Sequence, residues 1–389
     1  MEQVITLHRP APRGEKFAPG IPGHNKVELQ LFTTLNCNLK CSYCSAAVGD
    51  VLHSQGHVEY TPNQLDRFID THLKGYDVYV TFYGGEPVMN RGFIEEIMQR
   101  HPQFRFQLQT NGTLIDNLPP VVLGKFANVL ISVDGGEAIT DHFRGRGVYK
   151  QVVKNLGRVR PHLGGSATAR MTWSSPDTTF EEIDELLTHF DYIYWQFMQA
   201  EGGYDAAGME KKKTVLRQLV ARFFASTQTL YPVIPLMGIV RNKVRPDILE
   251  REHGGFSQCR VSTHIINVLP DGRIYPCPDM AWAPELQQGD LRENWLTQSP
   301  LQPRPEMPCH DCSAFGFCRY NCMKNLYRGY VHGDADYRVN VVEPICELVR
   351  FLGEEIDRHN PADWYAKASA SVREQIEGCP VYEYVEIMP

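Results

Sequence analysis

The feature that most constrains this chain is a loop of three cysteines, Cys37, Cys41 and Cys44, at C-x3-C-x2-C spacing. It directly follows an apolar, strand-like run over residues 27–34. Three thiolates this close together can bind three irons of a cubane cluster, which four cysteines normally hold. Because the loop has no fourth cysteine, one iron keeps an open position, as a catalytic metal site requires. A zinc knuckle is the alternative, but zinc needs four closed ligands, commonly two C-x2-C pairs, and no second pair lies nearby.

A second group of cysteines crowds the C-terminal half. Cys259 is followed after twelve residues by Gly272, and Cys277 comes after four more. The other members are spaced C-x2-C-x5-C-x3-C with one more distant cysteine: Cys309, Cys312, Cys318, Cys322 and Cys346. In a cytosolic protein, eleven cysteines indicate metal ligands rather than disulfides. The two groups account for ten of them and leave Cys379, which we interpret as a free thiol.

The composition is that of an ordinary soluble globular protein, with 42% hydrophobic and 22% charged residues. A net charge of −7 argues against a nucleic-acid partner, which favours a basic surface. No apolar run approaches the ~20 residues that span a membrane, and the N-terminus has no signal-peptide pattern. We therefore expect a cytoplasmic protein without nucleic-acid or membrane partners.

Strand-like and helix-like stretches alternate from residue 27 to about residue 199. The strands are predicted at residues 27–34, 77–82, 104–109, 128–133, 166–173 and 192–199. The helices between them are predicted at residues 62–74, 92–99, 119–126, 149–159 and 180–190. Six such units predict a parallel sheet with helices outside, which is an incomplete barrel rather than a closed one of eight units. Functional groups of such barrels gather at the carboxyl ends of the strands.

The same patterns suggest how the chain is divided. Residues 1–26 are an irregular lead-in and residues 27–232 form the barrel, which ends on a long helical pattern over residues 205–231. A linker at residues 233–255, a cysteine-rich domain at 256–352 and a C-terminal helix and tail at 353–389 follow. Periodicity fades in the cysteine-rich part, where clusters would replace part of a hydrophobic core.

The three-cysteine loop resembles the cluster loop of radical S-adenosylmethionine (radical SAM) enzymes, and the C-terminal cysteines resemble their SPASM domain. The resemblance covers residues 27 to about 352 and implies an α/β fold, a partial (β/α)6 TIM-like barrel followed by a small irregular α+β iron–sulfur domain. It also implies SAM and three [4Fe–4S] clusters, one binding SAM and two auxiliary. In this family the open iron binds SAM and cleaves it to a 5′-deoxyadenosyl radical. Because such clusters are oxygen-labile, we expect an anaerobic setting.

The resemblance assigns several barrel residues to SAM. Tyr43 matches an aromatic residue near the adenine. The motif of Gly84, Gly85, Glu86 and Pro87 holds the SAM ammonium through its backbone and carboxylate. Three further groups complete the set: Gln109 and Asn111 of a QTNG motif, Ser132 and Asp134 of an SVDG motif, and Arg144 twelve residues after Ser132. Ser132 and Arg144 are implied to hold the carboxylate of SAM, which suits an arginine fork. Trp195 and Phe197 line the adenine pocket in one interpretation and belong to the core in the other.

For the cysteine-rich half, the resemblance implies one cluster on Cys309, Cys312, Cys318 and Cys346, and another, nearer the active site, on Cys259, Cys277 and Cys322. The second set has three cysteines, because Val261 stands where sulfatase-maturing relatives have a fourth. Its fourth position is either open to substrate or filled from elsewhere, with Cys379 as the candidate.

The resemblance implies an enzyme that abstracts hydrogen from a ribosomally made peptide and oxidises it or forms a thioether, carbon–carbon or carbon–oxygen crosslink. A one-electron donor such as flavodoxin or ferredoxin would reduce it. One alternative is formylglycine formation, as in anaerobic sulfatase maturation, in which Asp279 is a tentative general base. That aspartate is offset by one residue from its position in those relatives, and a turn-capping role is the other interpretation. Further alternatives are a small-molecule dehydrogenase and a non-catalytic electron carrier.

Overall fold

The computed structural model describes residues 17, 25–44, 56–200, 202–253, 259–261, 263–320 and 322–379. Most of the lead-in at residues 1–26 and the last ten residues therefore lie outside the described part of the chain. The central feature is one ten-stranded sheet in the order β10-β9-β8-β7-β1-β2-β3-β4-β5-β6. Its strands are β1 Lys26–Thr34, β2 Asp77–Gly84, β3 Arg105–Thr110, β4 Phe126–Val133, β5 Ser166–Trp173, β6 Tyr192–Phe197, β7 Ile265–Val268, β8 Arg273–Tyr275, β9 Gly289–Asp290 and β10 Trp295–Leu296.

Strands β1 to β6 are parallel and follow one another in the sheet, as the alternating sequence pattern predicts. They are apolar runs because both faces of a parallel sheet are covered. In β1, for example, the side chains of Val27, Leu29 and Leu31 are fully buried. The sheet does not close on itself, since β1 pairs with β7 on its other edge. This arrangement confirms the partial barrel.

The helices connect these strands and continue after them. They are α1 Pro62–His72, α2 Arg91–Arg100, α3 Pro120–Leu123, α4 Glu137–Arg144, α5 Val148–Val159, α6 Phe180–Glu185, α7 Ala206–Phe224, α8 Ile234–Val244, α9 Pro246–His253, α10 Phe315–Cys318, α11 Met323–Leu326, α12 Ala335–Tyr337, α13 Glu343–Arg358, α14 Pro361–Lys367 and α15 Ala370–Gly378. Thr61 and Thr179 begin α1 and α6 with capping boxes.

Helix α4 is absent from the sequence prediction, although it carries Arg144. Its buried side chains are those of Thr140 and Arg144, so it has no apolar stripe of helical period. Helix α3 is shorter than predicted, because Phe126 already belongs to β4.

The cysteine-rich half extends the sheet of the barrel. Strand β7 runs parallel to β1, and β8 to β10 continue the sheet in antiparallel order. These strands have two to four residues, which is too short to produce a periodic sequence signal. The segment expected to be a linker contains α8 and α9, and α8 is buried along most of its length. Among the described residues, no helix is both long and apolar enough to cross a membrane.

Candidate active site

A cavity of about 420 Å³ lies where the carboxyl ends of the parallel strands face the cysteine-rich half. The barrel contributes the three-cysteine loop and residues in or just after the carboxyl-terminal parts of β2 to β6. The cysteine-rich half contributes Asp279, Trp282, Lys324 and Arg328. Residues predicted separately for SAM and for the auxiliary half thus line one space. Those that the sequence analysis named are Cys37, Cys41, Tyr43, Cys44, Gly84, Gly85, Gln109, Asn111, Ser132, Arg144, Phe197 and Asp279.

Hydrogen bonds from neighbouring loops hold the three-cysteine loop at one end of this cavity. The amide of Asn111 donates to the Asn38 oxygen at 2.9 Å and lies 3.8 Å from the sulfur of Cys37. The backbone N–H of Ser42 donates to the carbonyl of Phe143 at 3.0 Å. Asn111, in the QTNG motif, therefore positions the loop.

The Gly84–Gly85 pair is required by backbone packing. Gly84 has φ +141°, and a Cβ there would lie 2.2 Å from the carbonyl oxygen of Thr34. A Cβ on Gly85 would lie 2.3 Å from the carbonyl oxygen of Asn36. The N–H groups of Gly85 and Glu86 donate to those two carbonyls at 2.9 and 2.8 Å. The pair thus joins β2 to the segment that leads into the three-cysteine loop. Its backbone carbonyl groups can accept hydrogen bonds from an ammonium group.

The structure does not place the Glu86 carboxylate where the sequence analysis expected it. Glu86 is fully buried, and its two oxygens accept from the N–H groups of Val88 and Asn111 and from the hydroxyl of Thr110 at 2.7–3.1 Å. Burial raises its pKa, whereas these donors act in the opposite direction. Glu86 therefore ties the end of β2 to the end of β3, and the buried Pro87 begins a 3-10 turn behind it.

Tyr43, Asp134 and Arg144 form one buried group. The Arg144 guanidinium donates from Nε and one Nη to both oxygens of Asp134 at 2.9 and 2.8 Å, and the Tyr43 hydroxyl donates to the same carboxylate at 2.7 Å. Asp134 is fully buried and therefore does not face the cavity, whereas Arg144 and Tyr43 line it. Burial lowers the pKa of Arg144, but the charge and hydrogen bonds of Asp134 together with Tyr43 and Cys41 raise it overall. Asp134 thus positions an arginine whose other N–H groups remain for a ligand.

The positions of Trp195 and Phe197 on β6 distinguish between a role in the pocket and a role in the core. Trp195 is fully buried against Trp173 with ring centroids 5.7 Å apart, so it belongs to the core. Phe197 lines the cavity.

Sequence reasoning missed Arg170, Thr172 and Gln196 on β5 and β6, which also line the cavity. Arg170 donates to the Gln196 side chain at 2.6 Å. A charged residue inside the otherwise uncharged β5 was the available signal.

The cysteine-rich half places charged groups on the opposite wall. Lys324 donates to the Tyr337 hydroxyl at 3.2 Å, and Tyr337 donates to Asn325 at 2.7 Å. Burial lowers the pKa of Lys324, but nearby negative groups, led by Asp279, raise it overall. Arg328 is paired with Asp334 at 2.8 Å.

Four of the predicted ligand cysteines meet in a separate, mainly apolar pocket. Cys309, Cys312, Cys318 and Cys346 line it, together with Cys322 and the ring of Phe315. Burial raises the pKa of the Cys309 thiol to about 12 and that of Cys346 to about 11. Four converging thiols are the donor set that a [4Fe–4S] cluster takes, so these residues fit the group.

The other auxiliary set is brought together in part. Cys277 lies close to Cys322 and to Asp279, and burial raises the pKa of its thiol. The side chain of Gln199, which follows β6, donates to the sulfur of Cys322 at 3.2 Å. Cys259, however, lines a small polar cavity inside the barrel with Arg170 and Arg260.

Cys379 lies elsewhere in the molecule. It is buried beside Tyr192, the first residue of β6. The cavity lies at the other end of this strand, five residues or roughly 16 Å away. This position supports the interpretation that Cys379 is not a cluster ligand.

Within the described ranges, no three His, Cys, Asp or Glu side chains are arranged to hold one metal ion. A zinc knuckle gathers four ligands around a single ion, whereas each cysteine of a cubane binds its own iron.

Comparison with known proteins agrees with this geometry. Residues 31–190 match the model of the Radical SAM superfamily. The fold is similar to that of anSMEcpe with bound AdoMet, at a TM-score of 0.67 and 17% identity over 92% of this chain and 99% of that one. It is also similar to native anSMEcpe with bound AdoMet and Cp18Cys peptide, at 0.59 and 18% identity over 86% and 99%. No curated protein matches the sequence. Residues 31–190 therefore match a radical SAM domain, and the fold of the chain is similar to that of a protein with bound AdoMet.

Proposed function

We propose that this protein is a radical SAM enzyme that modifies a peptide, with SAM and substrate sharing the 420 Å³ cavity. The observation that carries the proposal is that this cavity joins Cys37, Cys41 and Cys44 to Asp279 and Lys324 of the other half. A peptide-bound structure of anSMEcpe, which has the same fold, supports a peptide as substrate class.

The barrel wall would hold SAM. The three thiols would bind the [4Fe–4S] cluster, the Gly84 and Gly85 carbonyls would accept from the ammonium, and Arg144, held by Asp134, would donate to the carboxylate beside Ser132. Gln109 and Phe197 complete the wall. When bound, this cluster would supply the electron for reductive cleavage of SAM, the chemistry that would initiate hydrogen abstraction from a substrate.

The chain itself supplies position and exclusion of water, which govern the fate of a substrate radical. Residues of the two halves line the cavity from opposite sides, so a substrate between them would be partly shielded from solvent. Oxidation or a thioether, carbon–carbon or carbon–oxygen crosslink would follow.

We further propose three [4Fe–4S] clusters. The converging thiols of Cys309, Cys312, Cys318 and Cys346 support one auxiliary cluster. The proximity of Cys277 and Cys322 supports the other, with Cys259 as its third ligand from the sequence pattern. A flavodoxin or ferredoxin would deliver the electrons.

Formylglycine formation on a protein Ser or Cys is the second candidate. The position of Asp279 on the cavity wall favours it, because a general base must reach the reacting atoms. Oxidation of a small molecule by the same site is the third.

The direct test is SAM cleavage by the anaerobically reconstituted, reduced protein. We expect 5′-deoxyadenosine from the wild type and from Cys379→Ala, which serves as a matched cysteine control, but none from Cys41→Ala. A wild-type protein with a full complement of iron that leaves SAM intact contradicts the proposed function.

A further inference from the structure

The cationic side chains of the cavity differ in whether a carboxylate lies at salt-bridge distance. Arg144 is bound by Asp134, and Arg328 by Asp334. Within the described residues, Lys324 and Arg170 have no carboxylate at salt-bridge distance. Lys324 donates to the neutral Tyr337 hydroxyl, and Arg170 donates to the neutral Gln196 amide.

Lys324 and Arg170 occupy different parts of the cavity. Arg170 pairs in register with Ser132 on the neighbouring strand and thus lies on the SAM side. Lys324 belongs to the cysteine-rich half, two residues from Cys322 and close enough to Asp279 for their charges to interact. It is partly buried, so its ammonium has lost part of its hydration. A charge in such a place is stabilised by an opposite charge with good hydrogen-bond geometry.

We propose that Lys324 is a specificity residue that binds a carboxylate of the substrate, so that the substrate is acidic next to the atom that reacts. This inference rests on the proposed function and narrows its substrate class. The carboxylate belongs either to an Asp or Glu side chain or to a peptide C-terminus. Asp279 lies on the same wall and is the competing internal partner.

The test measures binding of short blocked peptides to the reconstituted holoenzyme with SAM, under anaerobic conditions. Acetyl-Ala-Ala-Asp-Ala-Ala-amide carries a side-chain carboxylate, and its Asn counterpart is the neutral isostere. Acetyl-pentaalanine with a free or an amidated C-terminus makes the second pair. We expect the acid in at least one pair to bind about tenfold more tightly than its neutral partner, and the responding pair identifies the source.

Lys324→Gln should abolish this preference, whereas Lys324→Arg should retain it. Arg328→Gln is the matched control, since its cation lines the same cavity but is already paired with Asp334. The SAM dissociation constant should not change in Lys324→Gln, which separates substrate binding from SAM binding.

The inference is overturned if acidic and neutral peptides bind equally in both pairs, or if a preference survives in Lys324→Gln. An acid preference that appears only after Asp279→Asn also overturns it, because Lys324 then serves Asp279 in the wild type. SAM cleavage is measured in the same preparations. A wild-type protein that cleaves SAM but has no preference for the acidic peptides rejects this inference alone, whereas a wild-type protein that does not cleave SAM rejects the proposed function.

Discussion

The two halves that face the cavity use different means to hold their cysteines. In the barrel, the three-cysteine loop is attached to strand ends whose side chains form a continuous buried core. In the cysteine-rich half, α10, α11 and α12 have three or four residues each, and Arg319, Tyr320 and Cys322 adopt positive φ values of 46–58°. Such conformations cost free energy for residues other than glycine. The apolar core continues into the cysteine-rich half. Because the elements around its cysteines are short and strained, we expect this half to depend more on its metal clusters than the barrel does.

Removal of the auxiliary iron should have the largest effect. Structural metal binding supplies on the order of 10 kcal/mol of folding free energy. In Cys312→Ala, amides of residues 309–346 should lose protection from hydrogen exchange, while those of β1 to β6 keep theirs. Equal loss of exchange protection in both halves would contradict this difference between them, because it would show that the two halves unfold as one cooperative unit.

Replacing Cys37, Cys41 and Cys44 together by Ala should lower the iron content but leave amide exchange protection unchanged. Three cubanes predict about twelve irons per chain, and the triple variant should retain about eight. Exchange protection should persist in both halves, because the loop lies at the edge of a core that it does not support. A variant with its full iron content would show that these cysteines are not ligands.

Arg144→Ala should weaken SAM binding by about 1.5–3 kcal/mol, the contribution of a hydrogen bond to a charged group. It should also destabilise the barrel by roughly 3–5 kcal/mol, because it leaves the Asp134 carboxylate buried and unpaired. The double variant Asp134→Asn with Arg144→Ala should recover stability but not affinity. SAM titration and thermal unfolding separate the two effects, and an unchanged dissociation constant would remove Arg144 from the SAM site.

Substitution of Lys212 should have a smaller effect on stability. This residue lies in α7, the helix that packs against α13 of the other half. Its side chain is 1% exposed, and burial lowers its pKa to about 8, although Asp177 and Asp205 act in the opposite direction. In the unfolded chain, the pKa of a lysine side chain is about 10.4. Between these pH values the unfolded chain binds more protons, so stability rises with pH; below pH 8 the folded protein bears the cost of a buried charge.

Lys212→Met should therefore stabilise the protein at pH 7 by about 1–2 kcal/mol, after loss of the cation–π contact with the Tyr204 ring. The gain should shrink as the pH rises from 8 towards 10. Denaturant unfolding at both pH values measures it, and a gain independent of pH would assign the effect to packing.

Cys379→Ala should have the smallest effect. The thiol lies beside Tyr192 at the amino end of β6, so we expect unchanged iron content and unchanged SAM cleavage. Loss of a cluster signal would show that the C-terminal segment reaches the auxiliary site, and the open position on that cluster would then be filled.

Local patterns were sufficient for the barrel. The six parallel strands follow from apolar runs separated by helical periods, and β5 at Ser166–Trp173 agrees with its predicted bounds. The cysteine groups and the Gly84–Gly85 pair were visible because their spacing is local. By contrast, β7 to β10 and helix α4 give no periodic signal, since two to four residues or two buried side chains cannot form one.

The sequence by itself determined which residue types stand near each strand end, and hence the candidate cluster and SAM ligands. Tertiary structure decided which of them meet. Glu86 and Asp134 were predicted to contact SAM, but their carboxylates are buried behind the cavity wall and bind backbone or Arg144. Lys324 and Arg170 reach the cavity from elements far apart in the chain. Sequence spacing fixes neighbours along one element, whereas the direction of a side chain is set by the packing of all the elements around it.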